Sequence, residues 1–435
     1  MKLFDLTMQF LIAWGRRVSR LFARFGSEEQ KVDALQRSAL LRQDGADARF
    51  LFAQPDVLQV RATDEMRAQL ARSGAEIFED VQFKSFAGDD DDDDGGEERS
   101  GAGSWPFAPQ LDLADGYSMQ DVAEQVRAPE AWRRTRGEGV TIAIVDTGIA
   151  DRLREISRLR RSSLDLDSHY AGRHWCDPEG HGSMCAAIAA GSRADGGRYD
   201  GVAPGATVLA ARSTLFASDV ALVYDELSRA RAEGRLKGPL VVSNSYGLED
   251  CTSANVLPID HPYMTGILAL ISSGVFVCFA AGNNHTDVCK HDPYSCGPNS
   301  IWGPNSHDDV FSVGTVNRDF TNCDPMSPHV NSSRGPGEWA NRTVKPDCVA
   351  PTYGEVAWGT SYRRMRWWGT SGACPQVAGA AALVLSVYPT LSPTEVADVI
   401  RDTCCLLPEG KTCVGHGLLD CRDAVERAAA LSLSS

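Results

Sequence analysis

From Ser118 onward, short β-branched apolar runs alternate with longer segments rich in small and apolar residues. VTIAIVD (140–146), ATVLAAR (206–212), PLVVSNS (239–245), VFVCFAAG (275–282) and VFSVGTV (310–316) are too uniformly apolar for a half-solvated strand, and they predict strands buried on both faces. Between and after them the spacing predicts helices over 181–190, 219–233, 261–273, 370–387 and 393–403. The last of these starts at Pro393 behind the capping residue Ser392. Strands alternating with helices argue for a central parallel sheet covered on both sides, a three-layer α/β architecture.

The pattern before Ser118 is different. Phe4, Met8, Leu11 and Ile12, then Val18, Leu21 and Phe22, fall at helical spacing and predict an amphipathic helix within a segment 1–45. Residues 50–86 predict a strand near Val57–Val60, a helix from Asp64 to Ser73 and a strand near Ile77–Phe83, which makes a small α+β unit over 46–88. GDDDDDDGGEERSGAGS then offers nothing to bury and predicts a linker over 89–104, leaving 105–435 as the main domain.

Charge and cysteine content narrow the classes. A formal net charge of −15 disfavours nucleic acid and anionic membrane as partners. No apolar stretch reads as a transmembrane anchor. The short amino-terminal one is interrupted by Asp5 and followed by Arg16 and Arg17, so a secretory signal is disfavoured and the cytoplasm slightly preferred. Three Asn-X-Ser/Thr sequons, at Asn284, Asn331 and Asn341, point weakly the other way. Thirteen cysteines leave at least one unpaired within the chain. Cys251, Cys289, Cys296, Cys323, Cys413 and Cys421 fall in predicted loops as disulfide candidates, whereas Cys185, Cys278 and Cys374 fall in apolar segments as core residues. No spacing makes a zinc site.

Four polar residues stand where an apolar element meets a glycine-rich turn: Asp146 ending VTIAIVD, His181 in EGHGSMCAAIAAG, Asn283 in FAAGNN and Ser371 in WWGTSGACPQ. Singly, each has an ordinary structural reading as a cap or a core group. Jointly they supply a hydroxyl, an imidazole, a carboxylate to orient it and an oxyanion donor, the set that acyl transfer requires.

VTIAIVDTGI, HGSMCAAIAAG, GVAPGATVLAARS, FAAGNN, NSSRGP, KPDCVAP and GTSGACPQVAGAAAL, in this order over about 118–405, resemble the segments of subtilisin-like proteases. The resemblance implies a serine endopeptidase acting on polypeptide substrates. Asp146 would orient the imidazole, His181 act as general base and acid, Ser371 as nucleophile and Asn283 as oxyanion donor. Small Gly372 and then Cys374 stand where the family usually has Met and Ser, and Cys185 matches the cysteine of thiol-containing members. SNSYGLED resembles the kexin and furin branch. Ser245, Tyr246 and Gly247 would then form one wall of the first specificity pocket, and Asp250, with Asp287 or Asp292, would recognise a basic residue.

The unit 46–88 resembles the family's propeptide, a folding aid and inhibitor, with Arg99 as a candidate self-cleavage site; an amino-terminal domain that is never removed is the alternative. No cofactor is expected for the chemistry. Structural calcium is an open expectation without an assignable ligand set. A silent peptide-binding relative and a transpeptidase are the competing functions.

Overall fold

The computed structural model describes residues 18–27, 30–31, 48–86, 116–166, 170–251, 257–316 and 327–433. Arg99, Cys323, the acidic run Asp89–Asp94 and the expected helix over residues 4–17 lie outside them.

The amino-terminal unit is a four-stranded antiparallel sheet of β1 (Val18–Arg24), β2 (Ala48–Phe50), β3 (Val57–Thr63) and β4 (Glu76–Glu79), in the order β2-β3-β1-β4. One helix, Asp64–Arg72, crosses one face. Thr63 caps it, with its side chain accepting from the Met66 N–H. Leu21, Ala23, Leu58, Val60 and Ala62 meet Met66 and Leu70 beneath this helix, while Phe22, Val57 and Phe78 point to the opposite face. β1 therefore corrects the helical expectation at Val18–Phe22. A strand buried on both faces places apolar residues at consecutive positions, and three such positions mimic a helical stripe. It also lies inside the sheet formed by the next segment, so the described part of residues 1–45 is not a separate element.

A short strand, β5 (Lys84–Ser85), leads out of this unit. In the main domain, β6 (Thr141–Asp146), β7 (Thr207–Arg212), β8 (Leu240–Asn244), β9 (Tyr246–Gly247), β10 (Phe276–Ala280), β11 (Phe311–Val316) and β12 (Cys348–Pro351) follow in chain order. All but β9 form one six-stranded parallel sheet, ordered β12-β11-β10-β8-β6-β7. β9 pairs instead with β5, and a hairpin of β13 (Gly354–Trp358) and β14 (Ser361–Met365) completes the strands.

Helices His181–Ala190, Gly369–Val387, Pro393–Thr403 and Cys421–Ser432 pack on one face of the sheet, in one core with Ile142, Ile144, Val241, Cys278 and Val313. Ala217–Ala232 and Pro262–Ser272 cover the other, in a second core with Ala143, Val145, Val242, Val277 and Phe279. Phe22 and Phe78 of the amino-terminal sheet join this second core, edge-on to His261 at 5.1 and 5.4 Å. Gly369–Val387 is long and apolar enough to span a bilayer, yet 89% of its most apolar window is buried inside the fold. It is a core helix. Its small residues allow close approach: a Cβ on Gly379 would lie 2.6 Å from Val202 Cβ and 2.9 Å from the Ala189 carbonyl oxygen.

Cys251 pairs with Cys289 and Cys296 with Cys413. Cys421, expected in a loop, instead opens the last helix and is buried.

Candidate active site

Asp146 ends β6, where the sheet's carboxyl edge meets the loop Thr147–Gly148, and it is 1% exposed. Its Oδ1 accepts the Thr147 N–H at 2.7 Å and lies 2.7 Å from His181 Nδ1. A carboxylate can only accept here, so Nδ1 carries the proton and Nε2 is left with its lone pair. His181 is the first residue of its helix, behind Gly180 at φ +91°. A Cβ on Gly180 would fall 2.4 Å from Trp358 of the covering hairpin, and one on Gly182 would fall 2.1 Å from the Gly148 carbonyl oxygen. Close packing of the β6 turn, the histidine helix and the hairpin thus depends on the glycines that flank His181.

Burial pulls the His181 imidazole toward its neutral form. The Asp146 carboxylate opposes this through charge and hydrogen bond, with Asp177 and Glu179 adding to it, and the net shift is upward from the ordinary histidine value. Asp177 does more than supply charge. Its Oδ1 accepts from Thr147 Oγ1, Glu179 N–H and Gly180 N–H at 2.9, 3.1 and 2.8 Å. Its Oδ2 accepts from Ser183 N–H and Oγ at 2.9 and 2.6 Å. One carboxylate therefore ties the end of the aspartate strand to the first turn of the histidine helix. Sequence reasoning did not find it; its only signal is an acid four residues before a histidine that opens a helix.

Ser371 lies in the first turn of Gly369–Val387 and is fully buried. Pro375 stands one turn on and has no N–H to offer the Ser371 carbonyl. That carbonyl instead accepts from Ser245 Oγ at 3.0 Å and faces Cys185 Sγ at 3.7 Å, which pins the Ser371 turn against the end of β8 and the histidine helix. Cys185 Sγ also lies 3.8 Å from Asp146 Oδ2, and burial pushes its thiol well above the ordinary range. The Ser371 hydroxyl donates to the Ser245 carbonyl at 3.1 Å, and His181 Nε2, buried, has no hydrogen-bond partner. The Asp–His link is made; the His–Ser link is open.

Asn283 follows β10. Its Oδ1 accepts from Thr370 N–H and Oγ1 at 3.1 and 2.9 Å, which fixes the amide so that Nδ2 faces the cleft. There Nδ2 donates to the carbonyl of Phe86, the residue after β5, at 3.2 Å. The cleft thus holds the end of the amino-terminal unit. β5 runs antiparallel to β9, with Lys84 opposite Gly247 and Ser85 opposite Tyr246, and the Phe86 N–H donates to the Ser245 carbonyl at 3.2 Å.

The Ser371 hydroxyl reaches the Ser245 carbonyl, and the backbone of Ser245–Gly247 lines one side of the space that the Phe86 ring fills. The Tyr246 side chain turns away into a buried cluster, donating to Asn244 Oδ1 at 3.0 Å and lying 3.1 Å from the Tyr263 hydroxyl. Asn305, also unforeseen, ties this wall to the opposite one: its Nδ2 donates to the Tyr246 and Ala280 carbonyls at 2.8 and 2.7 Å. Between the walls lies the phenyl ring of Phe86. A Cβ on Gly247 would come 2.8 Å from its Cε2, and one on Gly282 would come 3.5 Å from its Cζ.

The acids expected to read a basic side chain lie at the surface. Asp250 and Asp292 are exposed, and Asp292 Oδ1 accepts the Tyr294 N–H at 3.0 Å in a turn. Asp287 is exposed and accepts from Asn331. Two sequons lose their reading as glycan acceptors: Asn284 and Asn331 are buried, with Asn284 Nδ2 donating to the Leu248 and Ser300 carbonyls at 3.0 and 3.2 Å.

Among the described residues two clusters of metal-ligating side chains occur, Cys251 with Cys289 and His291, and Asp146 with His181 and Cys185. The first two cysteines are disulfide-bonded, and sulfur and imidazole do not suit calcium, which needs six to eight oxygens. Neither fits that ion.

The chain also has known relatives. Serine protease AprX of Bacillus subtilis is 28% identical over 295 residues, covering 61% of this chain and 61% of its own. Mycosin-4 of Mycobacterium tuberculosis is 27% identical over 318 residues, covering 68% and 67%. A calcium-dependent protease of Trichormus variabilis is 29% identical over 361 residues, covering 74% of this chain and 51% of its own. The crystal structure of fervidolysin from Fervidobacterium pennivorans, a keratinolytic enzyme related to subtilisin, shares the fold with a TM-score of 0.64 at 16% identity, over 94% of this chain and 61% of that one. The chain thus spans about three fifths of the length of AprX and of fervidolysin. The model of the subtilase family matches residues 137–426, well over half of the sequence, and the chain belongs to that family.

Proposed function

We propose that the protein is a serine endopeptidase, made as a precursor whose amino-terminal unit occupies its own cleft. The observation that carries this is the Asp146–His181 pair packed against the Ser371 turn through Cys185, with Asn283 donating to the Phe86 carbonyl of the segment in the cleft. In this reading Ser371 Oγ leaves the Ser245 carbonyl, gives its proton to His181 Nε2 and attacks a substrate carbonyl. Asp146 holds the imidazolium, and Asn283 Nδ2 donates to the oxyanion. The imidazolium gives that proton to the leaving amine as the C–N bond breaks, and the acyl-enzyme is then hydrolysed by water that His181 deprotonates. The open His–Ser link is consistent with a resting precursor.

Asp80 supports a docked, inhibitory role for the amino-terminal unit: its carboxylate accepts from Ser218 N–H and Oγ at 2.8 and 2.7 Å, at the start of the helix Ala217–Ala232. Backbone pairing at β5–β9 then closes the cleft. Two disulfides support an oxidising compartment over the cytoplasm.

A fluorophosphonate should label Ser371 in the wild type and not in Ser371→Ala, and only the wild type should degrade casein. A folded wild type that neither labels nor degrades casein would move the assignment to a peptide-binding relative without activity.

A further inference from the structure

The cysteine pair Cys251–Cys289 differs from the pair Cys296–Cys413 in what stands beside it. A ring nitrogen of His291 and the sulfurs of Cys251 and Cys289 all lie within 4.8 Å of one another, and the three residues are half-buried. Among the described residues, Cys296 and Cys413 have no such third donor.

The turn that carries Cys289 and His291 is fixed by its backbone. The Cys289 N–H donates to the Asn284 carbonyl at 2.7 Å, the Lys290 N–H to the Thr286 carbonyl at 2.9 Å and the His291 N–H to the His285 carbonyl at 3.0 Å. The His285 ring stands edge-on to that of His291 at 5.1 Å, with its Nε2 held at 2.9 Å by the Asp292 carbonyl. His291 is not held in this way: its Nδ1 is buried and has no hydrogen-bond partner. A neutral imidazole beside two sulfurs has a lone pair to give.

Two thiolates and an imidazole are donors that select zinc over calcium or magnesium. We propose that in the reduced chain Cys251, Cys289 and His291 bind a zinc ion, with water as the fourth ligand. This site and the Cys251–Cys289 disulfide are then two states of one cross-link. The exchange balances. A dithiol reductant becomes a disulfide itself and leaves two protein thiols, and Zn²⁺ then displaces both thiol protons and takes the imidazole lone pair. Either state ties the loop after β9 to the loop after β10, the segments that follow Gly247 and Asn283. The ion is structural and enters no step at Ser371, so the site does not depend on the peptidase reading. No zinc spacing is legible in the sequence because only Cys289 and His291 are neighbours, while Cys251 stands 38 positions before Cys289.

The full chain carrying Ser371→Ala, so that self-digestion plays no part, is reduced with a phosphine, freed of reductant without air and titrated with Co²⁺ as a coloured stand-in for zinc. A single ion should bind, with a thiolate-to-cobalt charge-transfer band that Zn²⁺ abolishes, and the oxidised chain should show no band. Cys289→Ser should lose the band, and Cys296→Ser should bind as its parent does. His291→Ala should weaken binding by at least the roughly 10- to 100-fold that a lost supporting contact costs a metal site. A second readout needs no variant at the site: zinc should protect Cys251 and Cys289 from iodoacetamide, read by peptide mass, and leave the exposed Cys405 reactive. A reduced chain without the band, a band that survives Cys289→Ser, undiminished binding by His291→Ala, or alkylation of Cys251 and Cys289 despite zinc overturns the site.

Discussion

Asn283 is the residue at which orientation and chemistry can be separated. Its amide is not free to turn, because Thr370 presents two donors to Oδ1, which leaves Nδ2 as the group facing the carbonyl in the cleft. That contact, 3.2 Å to a ground-state carbonyl, should shorten as negative charge develops on the oxygen. Asn283→Ala removes the donor and should lower kcat by about 10²–10³, or roughly 2.7–4 kcal/mol, with KM little changed. The range comes from loss of the side-chain oxyanion donor in a subtilisin and is carried over to this chain.

Asn283→Asp tests the orientation. One carboxylate oxygen would keep the Thr370 donors, and the other would then face the oxyanion as a like charge. The Asp variant should therefore be slower than Ala despite being closer in shape to Asn. Steady-state hydrolysis of a peptide anilide, with fluorophosphonate titration to count active sites, reads both values. An Asp variant as fast as Ala, or an Ala variant within tenfold of wild type, would refute the proposed geometry.

Three further outcomes are expected. Asp177→Asn removes a negative charge that helps raise the His181 pKa; because the imidazole must be neutral to accept the Ser371 proton, the acidic limb of the kcat/KM profile should move to lower pH, and an unmoved limb would remove Asp177 from this role. A mercurial should inactivate the wild type slowly, since Cys185 is buried and its thiol stays protonated, whereas Cys185→Ala should remain active and resist; equal sensitivity of the two would point to another thiol. Cys296→Ala opens a cross-link spanning 117 positions and should cost roughly 2–5 kcal/mol in urea unfolding, with unchanged stability showing that the bridge does not form in the isolated protein.

The parallel sheet was legible because a strand covered on both faces must be apolar throughout. VTIAIVD, PLVVSNS and VFVCFAAG each fall within about two residues of β6, β8 and β10. The helices that carry Ser371 and His181 were legible for a related reason, as their close packing demands small residues such as Gly182 and Gly379. β12, the β13–β14 hairpin and the last helix went unforeseen. The runs of these strands are short or polar, as in SYRRM, and pairing makes them strands where propensity does not.

Asp146, His181, Asn283 and Ser371 could be singled out from sequence because each needs a particular residue type at the junction of an element and a turn. What those junctions face is set by chain contacts far apart in sequence. Asp177 becomes a hub only when β6 and the histidine helix meet. Ser245 and Gly247 become a wall only with Asn305 bridging to Ala280. The local sequence SNSYGLED invited a basic guest through its acids, yet Glu249 pairs with Lys84 and Asp250 is exposed, while a phenyl ring fills the space between Gly247 and Gly282. Residue type and spacing thus determine which chemistry this chain can carry, because strand burial and glycine turns are local constraints. The pocket's shape, and the chain segment that fills it, belong to the tertiary structure, because they depend on which backbone edges are brought within a hydrogen bond of each other.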